Sequence, residues 1–265
     1  MPIIDCHVHS HDWMDFTPGG EGPTFWERYF VWADRFDATC LVSGLKPIGQ
    51  RYLVDPTPES CEAGNRDVFD LVGRSGGRAR GLCYVTPRDT AAALASMEEW
   101  IGRRGFAGLK LQAAVRCNDP LLDPIADWCA RHRVFICQHA WFKATGNLPG
   151  ESTPEMYAEL ARRHPDATLI MYHSGGDFTY GAKAARGLDN VFCEIGGADA
   201  VDGALEQLVN AVGAGHVVFG SDLPGRSLTS QLAKVHAARL SDAEKEQILY
   251  GNMQRILAAR ASGPS

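Results

Sequence analysis

Short runs rich in Val, Ile, Leu and Phe alternate with longer stretches of helical period along almost the whole chain. Eight runs read as strands: Ile3–His9, Thr39–Gly44, Arg80–Thr86, Gly108–Gln112, Val134–His139, Thr168–His173, Val191–Gly196 and Val217–Asp222. The stretches Phe25–Phe36, Asn65–Arg74, Thr90–Arg103, Pro120–Arg131, Pro154–Arg163, Gly181–Arg186, Val201–Val212 and Ser227–Arg239 carry apolar residues at helical spacing. Strand–helix alternation predicts a parallel sheet covered by helices. Eight units predict an α/β fold of the (β/α)₈ TIM-barrel type, with residues 1–265 forming one domain. An open doubly wound sheet is the alternative, but it would carry a Gly-rich phosphate loop after an early strand, and none is present. Past Leu240 the pattern predicts one or two closing helices, opened by Ser241-Asp242-Ala243-Glu244 with the spacing of a capping box.

The polar exceptions to this pattern fall at the carboxyl ends of the apolar runs. The first run gives His7 and His9, the fourth Lys110, the fifth His139, the sixth His173, the seventh Glu194 and the eighth Asp222. A polar or ionisable group closing an apolar strand is costly unless it is paired or bound to a metal, and in a barrel all these ends meet at the mouth where active sites form. Strand residues two apart share a face, so Asp5, His7 and His9 are expected to project together. Neutral imidazole is a preferred ligand of zinc and its neighbours. Two segments depart from a minimal unit, the loop after His9 and the stretch Leu45–Gly64. Both are expected to act as lid or pocket loops.

Composition narrows the partners. A net charge of −6 gives no electrostatic reason to expect nucleic acid or an anionic membrane. No apolar stretch approaches the ~20 residues that span a bilayer, and the N-terminus lacks the form of a secretory signal. Eight cysteines occur without a Cys-x-x-Cys pair, and several lie inside apolar runs. They are expected to be buried free thiols, with the cytoplasm as location. A small-molecule substrate is the expected partner, and homo-oligomerisation stays open.

Taken in order, Ile4-Asp5-Cys6-His7-Val8-His9, Ile136-Cys137-Gln138-His139, Met171-Tyr172-His173-Ser174-Gly175-Gly176 and Phe219-Gly220-Ser221-Asp222-Leu223-Pro224 resemble the amidohydrolase superfamily. The nearest branch is the amidohydrolase-related family that includes aminocarboxymuconate-semialdehyde decarboxylase. The resemblance runs to Asn252, in Tyr250-Gly251-Asn252. It implies metal ligands His7, His9, His139 and Asp222, with His173 catalytic, around one divalent ion, usually zinc with manganese as the alternative. In binuclear members a lysine from strand four is carboxylated and bridges two ions. Here Lys110 is expected instead to anchor substrate or to pair with Glu194. The role of Glu194 stays open between supporting partner, acid–base group and counter-ion.

Three imidazoles and a carboxylate leave a coordination position open for water, whose pKa a bound ion lowers from 15.7 toward ~7. Asp222 is then expected to move the water's proton and His173 to stabilise developing charge. Arg51, Arg116 and Arg226 follow strand ends and offer the guanidinium fork that suits a carboxylate. Trp141, two residues past His139, is placed to line the pocket, with Trp13 and Trp26 as weaker candidates. His11, His132, His164, His216 and His236 fall in loops, helices or connections. The leading expectation is a metal-dependent hydrolase cleaving an amide, ester or lactone of a small organic acid; the alternative is a non-oxidative decarboxylase of an aromatic or muconate-like acid using the same residues. A metal-free lactonase, a non-catalytic binding barrel and a phosphoesterase of the His-x-His type rank below these.

Overall fold

Strand β1 (Ile3–His9) is buried along its length except at His9, as expected of a strand inside a parallel sheet. Seven more strands follow in the computed structural model, which describes residues 1–10, 24–44 and 55–261. They are β2 (Ala38–Ser43), β3 (Ala79–Tyr84), β4 (Gly108–Leu111), β5 (Ile136–Trp141), β6 (Leu169–Gly175), β7 (Val191–Glu194) and β8 (Val217–Val218). Each pairs in parallel with the next, in sequence order. The seam between β8 and β1 is closed by Cys6 N donating to Phe219 O (3.0 Å), Asp222 N to His7 O (2.8 Å) and His9 N to Leu223 O (2.7 Å). The result is a TIM barrel.

Helices α1 (Phe25–Phe36), α2 (Pro58–Arg74), α3 (Thr90–Met97), α4 (Asp123–Arg131), α5 (Pro154–Arg163), α6 (Phe178–Ala185), α7 (Ala204–Val212) and α8 (Leu228–Ala237) sit between successive strands and after β8. Two more, α9 (Asp242–Glu246) and α10 (Asn252–Ala261), close the chain, and Ser241 and Glu244 form the expected capping box. Inside the barrel, Ile4, Cys6, Leu41, Phe135, Ile170 and Tyr172 pack with Met253, Ile256 and Leu257 of α10. Arg260 at the end of α10 donates to the carbonyls of Ile101 and Phe106, just before β4. Helix α10 thus lies across the amino-terminal end of the barrel. All eight cysteines are free and buried.

The structure corrects two sequence expectations. Helix α2 starts at Pro58 rather than Asn65, because Thr57 and Ser60 form a capping box and proline suits a first turn, where its missing N–H is not needed. The expected loop Leu45–Gly64 is therefore shorter. Its first part, with Arg51, lies outside the described residues, as do His11 and Trp13. In β1, Asp5 pairs with Cys40 and Val8 with Val42, so Cys6 and His7 together oppose Leu41. This bulge breaks the alternation: His7 and His9 share the inner face, whereas Asp5 turns toward the helix layer, where Tyr29 and Cys40 are its neighbours.

Asn252 secures the last turn of the fold. Its Nδ2 donates to Ala214 O (2.7 Å) and Val217 O (2.8 Å) from a fully buried position. Asn252→Ala leaves both carbonyls without that donor and is expected to cost about 1–3 kcal/mol. At roughly 2–4 °C per kcal/mol for a chain of this size, thermal denaturation checks it, and an unchanged midpoint would show the bonds to be idle.

Candidate metal centre

Four imidazoles stand in a row across the mouth. Ring centroids are 5.0 Å apart for His9 and His7, 4.9 Å for His7 and His173, and 4.8 Å for His173 and His139. Each lies near the carboxyl end of a strand, and three residues at or beside the row use unusual backbone. His173 (φ 64°), Ser174 (φ 44°) and Asp222 (φ 58°) all lie in the left-handed region, which non-glycine residues seldom occupy. Such conformations cost of order 1–3 kcal/mol each and gather at functional sites.

The protons on this row can be assigned from the partners. A carboxylate or a carbonyl only accepts, so an imidazole nitrogen facing one must carry the hydrogen. His7 Nδ1 faces Glu194 Oε2 (3.2 Å), His173 Nδ1 faces Gly196 O (2.9 Å), and His139 Nε2 faces Glu151 Oε1 (2.7 Å). The opposite nitrogens are then lone pairs. His7 Nε2 points at His9 Nε2 across 3.2 Å, with Asp222 Oδ1 at 3.5 Å and 3.3 Å from the two. His139 Nδ1 points at His173 Nε2 across 3.0 Å. Burial lowers the pKa of His7, His139 and His173, so none of the three carries a second proton to fill these gaps at neutral pH.

The lone pairs of His139 Nδ1 and His173 Nε2, turned on one another at hydrogen-bond distance, repel unless a cation lies between them, and His7 Nε2 offers a third inward lone pair beside His9 and Asp222. The donor set therefore fits a divalent ion. His7, His9 and Asp222 bring one ligand atom each within 4.8 Å of one another. Neutral imidazoles plus one carboxylate are ligands zinc and manganese accept. Burial works against the charge on Asp222, yet the histidines around it hold its carboxyl well below the usual range, so it stands ionised. His139 lies outside that close group, one ring farther along and against His173.

Glu194 is completely buried and organises the centre. Besides His7 Nδ1, it accepts from His173 N (2.8 Å) and from Gly196 N. Burial pushes its carboxyl up, and these donors oppose the shift. The expected Lys110–Glu194 pair is not formed. Lys110 is buried over the Tyr172 ring, 4.2 Å from the centroid, and Nζ has no hydrogen-bond partner among the described residues. Burial lowers its pKa to about 8.

Trp141 sits at the mouth, its ring 4.8 Å from that of His173 and 5.9 Å from that of His139. Trp26, by contrast, packs among the aromatics of α1. Arg116 is exposed. Arg226 reaches the turn past β7, where its Nε donates to Gly197 O (2.8 Å) and Nη1 to Gly225 O (3.1 Å). The sequence reading missed Glu151, and it gave Asp5 a place beside His7 and His9 rather than the supporting one it takes. Glu151 is held ionised, near pKa 2, because bonds from His139, Lys143 and Leu148 N outweigh its burial. Asp5 Oδ1 accepts from His7 N (3.2 Å) and Ser221 N (2.9 Å), tying the strand that bears His7 to the residue before Asp222.

A TIM barrel whose mouth gathers imidazoles and a carboxylate is a scaffold on which a metal centre could be built. The amidohydrolase family model matches residues 4–258, and the chain belongs to that family. No curated protein matches it in sequence. Among solved structures it is similar to 2,6-dihydroxybenzoate decarboxylase from Rhizobium, with TM-score 0.74, 13% identity, and 97% of this chain and 99% of that one covered. A dihydroxybenzoic acid decarboxylase from Polaromonas sp. JS666, with bound manganese and 2-nitroresorcinol, gives 0.74, 14%, and 97% of each chain. The 4-oxalomesaconate hydratase from Rhodopseudomonas palustris gives 0.67, 14%, and 98% and 97%. Likeness at these identities establishes the fold.

Purified protein is expected to bind about one zinc or manganese per chain, and His7→Ala to lose it. Elemental analysis after dialysis checks both; wild type free of metal, or His7→Ala still loaded, would sink the assignment of these ligands.

Proposed function

We propose that this chain is a metal-dependent, non-oxidative decarboxylase of a small planar carboxylic acid. The observation that carries the metal dependence is the inward-facing set of imidazole lone pairs beside ionised Asp222. His7, His9 and Asp222 would hold the ion, with His139 Nδ1 as a further nitrogen donor. Once bound, a divalent ion supplies fixed positive charge against which a substrate's oxygens are oriented.

The remaining work falls to this chain's own groups. Decarboxylation replaces carbon dioxide by a proton on carbon, so the site must deliver one proton to the carbon that loses the carboxylate. His173 is built for that exchange. Its Nδ1–H is pinned to Gly196 O, so Nε2 would take up a proton from water and pass it to the carbon as carbon dioxide leaves, returning to the neutral imidazole. Asp222 offers a second acceptor nearby, since the Cβ position at Gly197 would lie 2.2 Å from His173 Nδ1 and 3.0 Å from Asp222 Oδ2. The flat Trp141 ring beside His173 and His139 suits an unsaturated or aromatic acid. Decarboxylases of hydroxybenzoates among the similar structures support this reaction over hydrolysis.

Hydrolysis of an amide, ester or lactone is the second reading, favoured by Asp222 standing ionised and able to accept a proton from water. The two separate in one experiment. Metal-loaded protein is incubated with 2,6-dihydroxybenzoate, 5-carboxyvanillate and a panel of aryl esters and lactones, while carbon dioxide and acid release are followed. Carbon dioxide from an aromatic acid is expected; acid release from the esters or lactones alone would replace the decarboxylase by the hydrolase. On whichever substrate turns over, His173→Ala is expected to lower kcat by ~10²–10³ with metal content retained.

A further inference from the structure

The backbone behind His173 is held in an uncommon way. From Ile195 to Ala198, just past β7, four consecutive carbonyls each receive a side-chain donor. Lys234 Nζ donates to Ile195 O (2.8 Å) and to Ala198 O, His173 Nδ1 to Gly196 O (2.9 Å), and Arg226 Nε to Gly197 O (2.8 Å). Three of the four donations come from cations on the segment after β8, and Lys234 lies on α8. The third proton of Lys234 goes to Gln231 Oε1 (2.7 Å), so all its hydrogens meet neutral oxygens.

A lysine ammonium that is 9% exposed and hydrogen-bonded only to neutral oxygens is expensive, and burial lowers its pKa to about 8. A helix-packing role would be served by an apolar side chain without that cost. What the ammonium provides is position for the turn. Gly197, at φ +78°, lies so close to His173 that an added Cβ would fall 2.2 Å from Nδ1. A small shift of the turn therefore moves the acceptor of the His173 Nδ1–H bond.

We propose that Lys234, assisted by Arg226, is a positioning residue that clamps the Ile195–Ala198 turn so that Gly196 O fixes the tautomer and ring orientation of His173. The clamp works through the carbonyls at either end of the turn, and Arg226 adds a hold at its middle. Lys234 also lines a cavity of about 260 Å³, together with Phe178, Asp199 and Glu206, on the helix side of the barrel. A cation of lysine's head-group size can therefore reach the oxygens that Lys234 now satisfies. The consequence for turnover rests on the proton-handling role given to His173 above, whereas the effect on its tautomer does not.

The test reads the tautomer directly. In zinc-loaded protein carrying ¹⁵N-labelled histidine, the Nδ1–H of His173, assigned through its loss in His173→Ala, gives a slowly exchanging downfield resonance. Lys234→Ala is expected to raise the exchange rate of that proton by about tenfold, the factor that goes with losing one net hydrogen bond's hold on the turn. Methylammonium, added as a replacement cation, is expected to restore the slow exchange, which a general loss of packing would not allow. Arg226→Gln, at an exposed side chain and so safe for folding, is expected to give a smaller increase and decides the matter if Lys234→Ala does not fold. An unchanged resonance in every folded variant would overturn the clamp, and so would faster exchange that methylammonium leaves untouched. A decarboxylase that fails to release carbon dioxide, with the resonance still responding, would remove the proposed reaction and keep the clamp.

Discussion

Glu194 is a carboxylate without exposure to water, and the mouth of the barrel is assembled around it. An uncompensated charge in such a place would be neutralised or expelled. Here it is met by N–H groups from three directions: the ring of His7 on β1, the backbone of His173 on β6 and the backbone of Gly196 past its own strand. Each bond also settles something else. The bond to His7 turns that ring's other nitrogen inward, the bond to His173 N holds the left-handed turn at the end of β6, and the bond to Gly196 N starts the turn whose carbonyl orients His173. Removing one partner of a buried charged group leaves the rest unsatisfied, so the cost of change here exceeds the worth of any single bond.

The same logic recurs at a distance from the imidazoles. Glu151 orients His139 and is itself oriented by Lys143 and Leu148 N. Asp5 bridges the backbone of His7 and Ser221 across the seam. Neutral histidines in an apolar setting have two tautomers of similar energy, and the acceptors around them choose one. The left-handed backbone at His173, Ser174 and Asp222 is kept by this network, because local preference alone would not hold it.

The strands and the residues at their ends were legible because a buried parallel strand must be apolar and a polar residue at its end interrupts the run. His7, His9, Lys110, His139, His173, Glu194 and Asp222 were singled out in that way, and each lies in the last three residues of a strand or within four residues beyond one. Their partners were not legible. Gly196 contributes a carbonyl, which no residue type announces. Glu151 sits in a loop whose path depends on the bond it makes, twelve residues from His139. Lys234 looks like any helix lysine until the turn past β7 is laid against it. The bulge at Cys6 and His7 is equally silent, since it arises from how β1 meets β2 and not from β1 itself. The early start of α2 was hidden by Pro58, which reads as a turn although it suits a helix's first position.

The seam of the barrel has a consequence of its own. Strand β8 keeps only two residues in regular pairing, and its junction with β1 is carried by a few irregular bonds rather than a continuous ladder. His7 and His9 stand on one side of that junction and Asp222 on the other. An ion held by all three, as proposed, would therefore be a rivet through this irregular joint of the cylinder, and its binding energy would count toward closure of the barrel as well as toward chemistry. If the ion binds as proposed, metal supply would govern how much of the protein stays intact, and the apo form would open first where the strand order returns to its beginning.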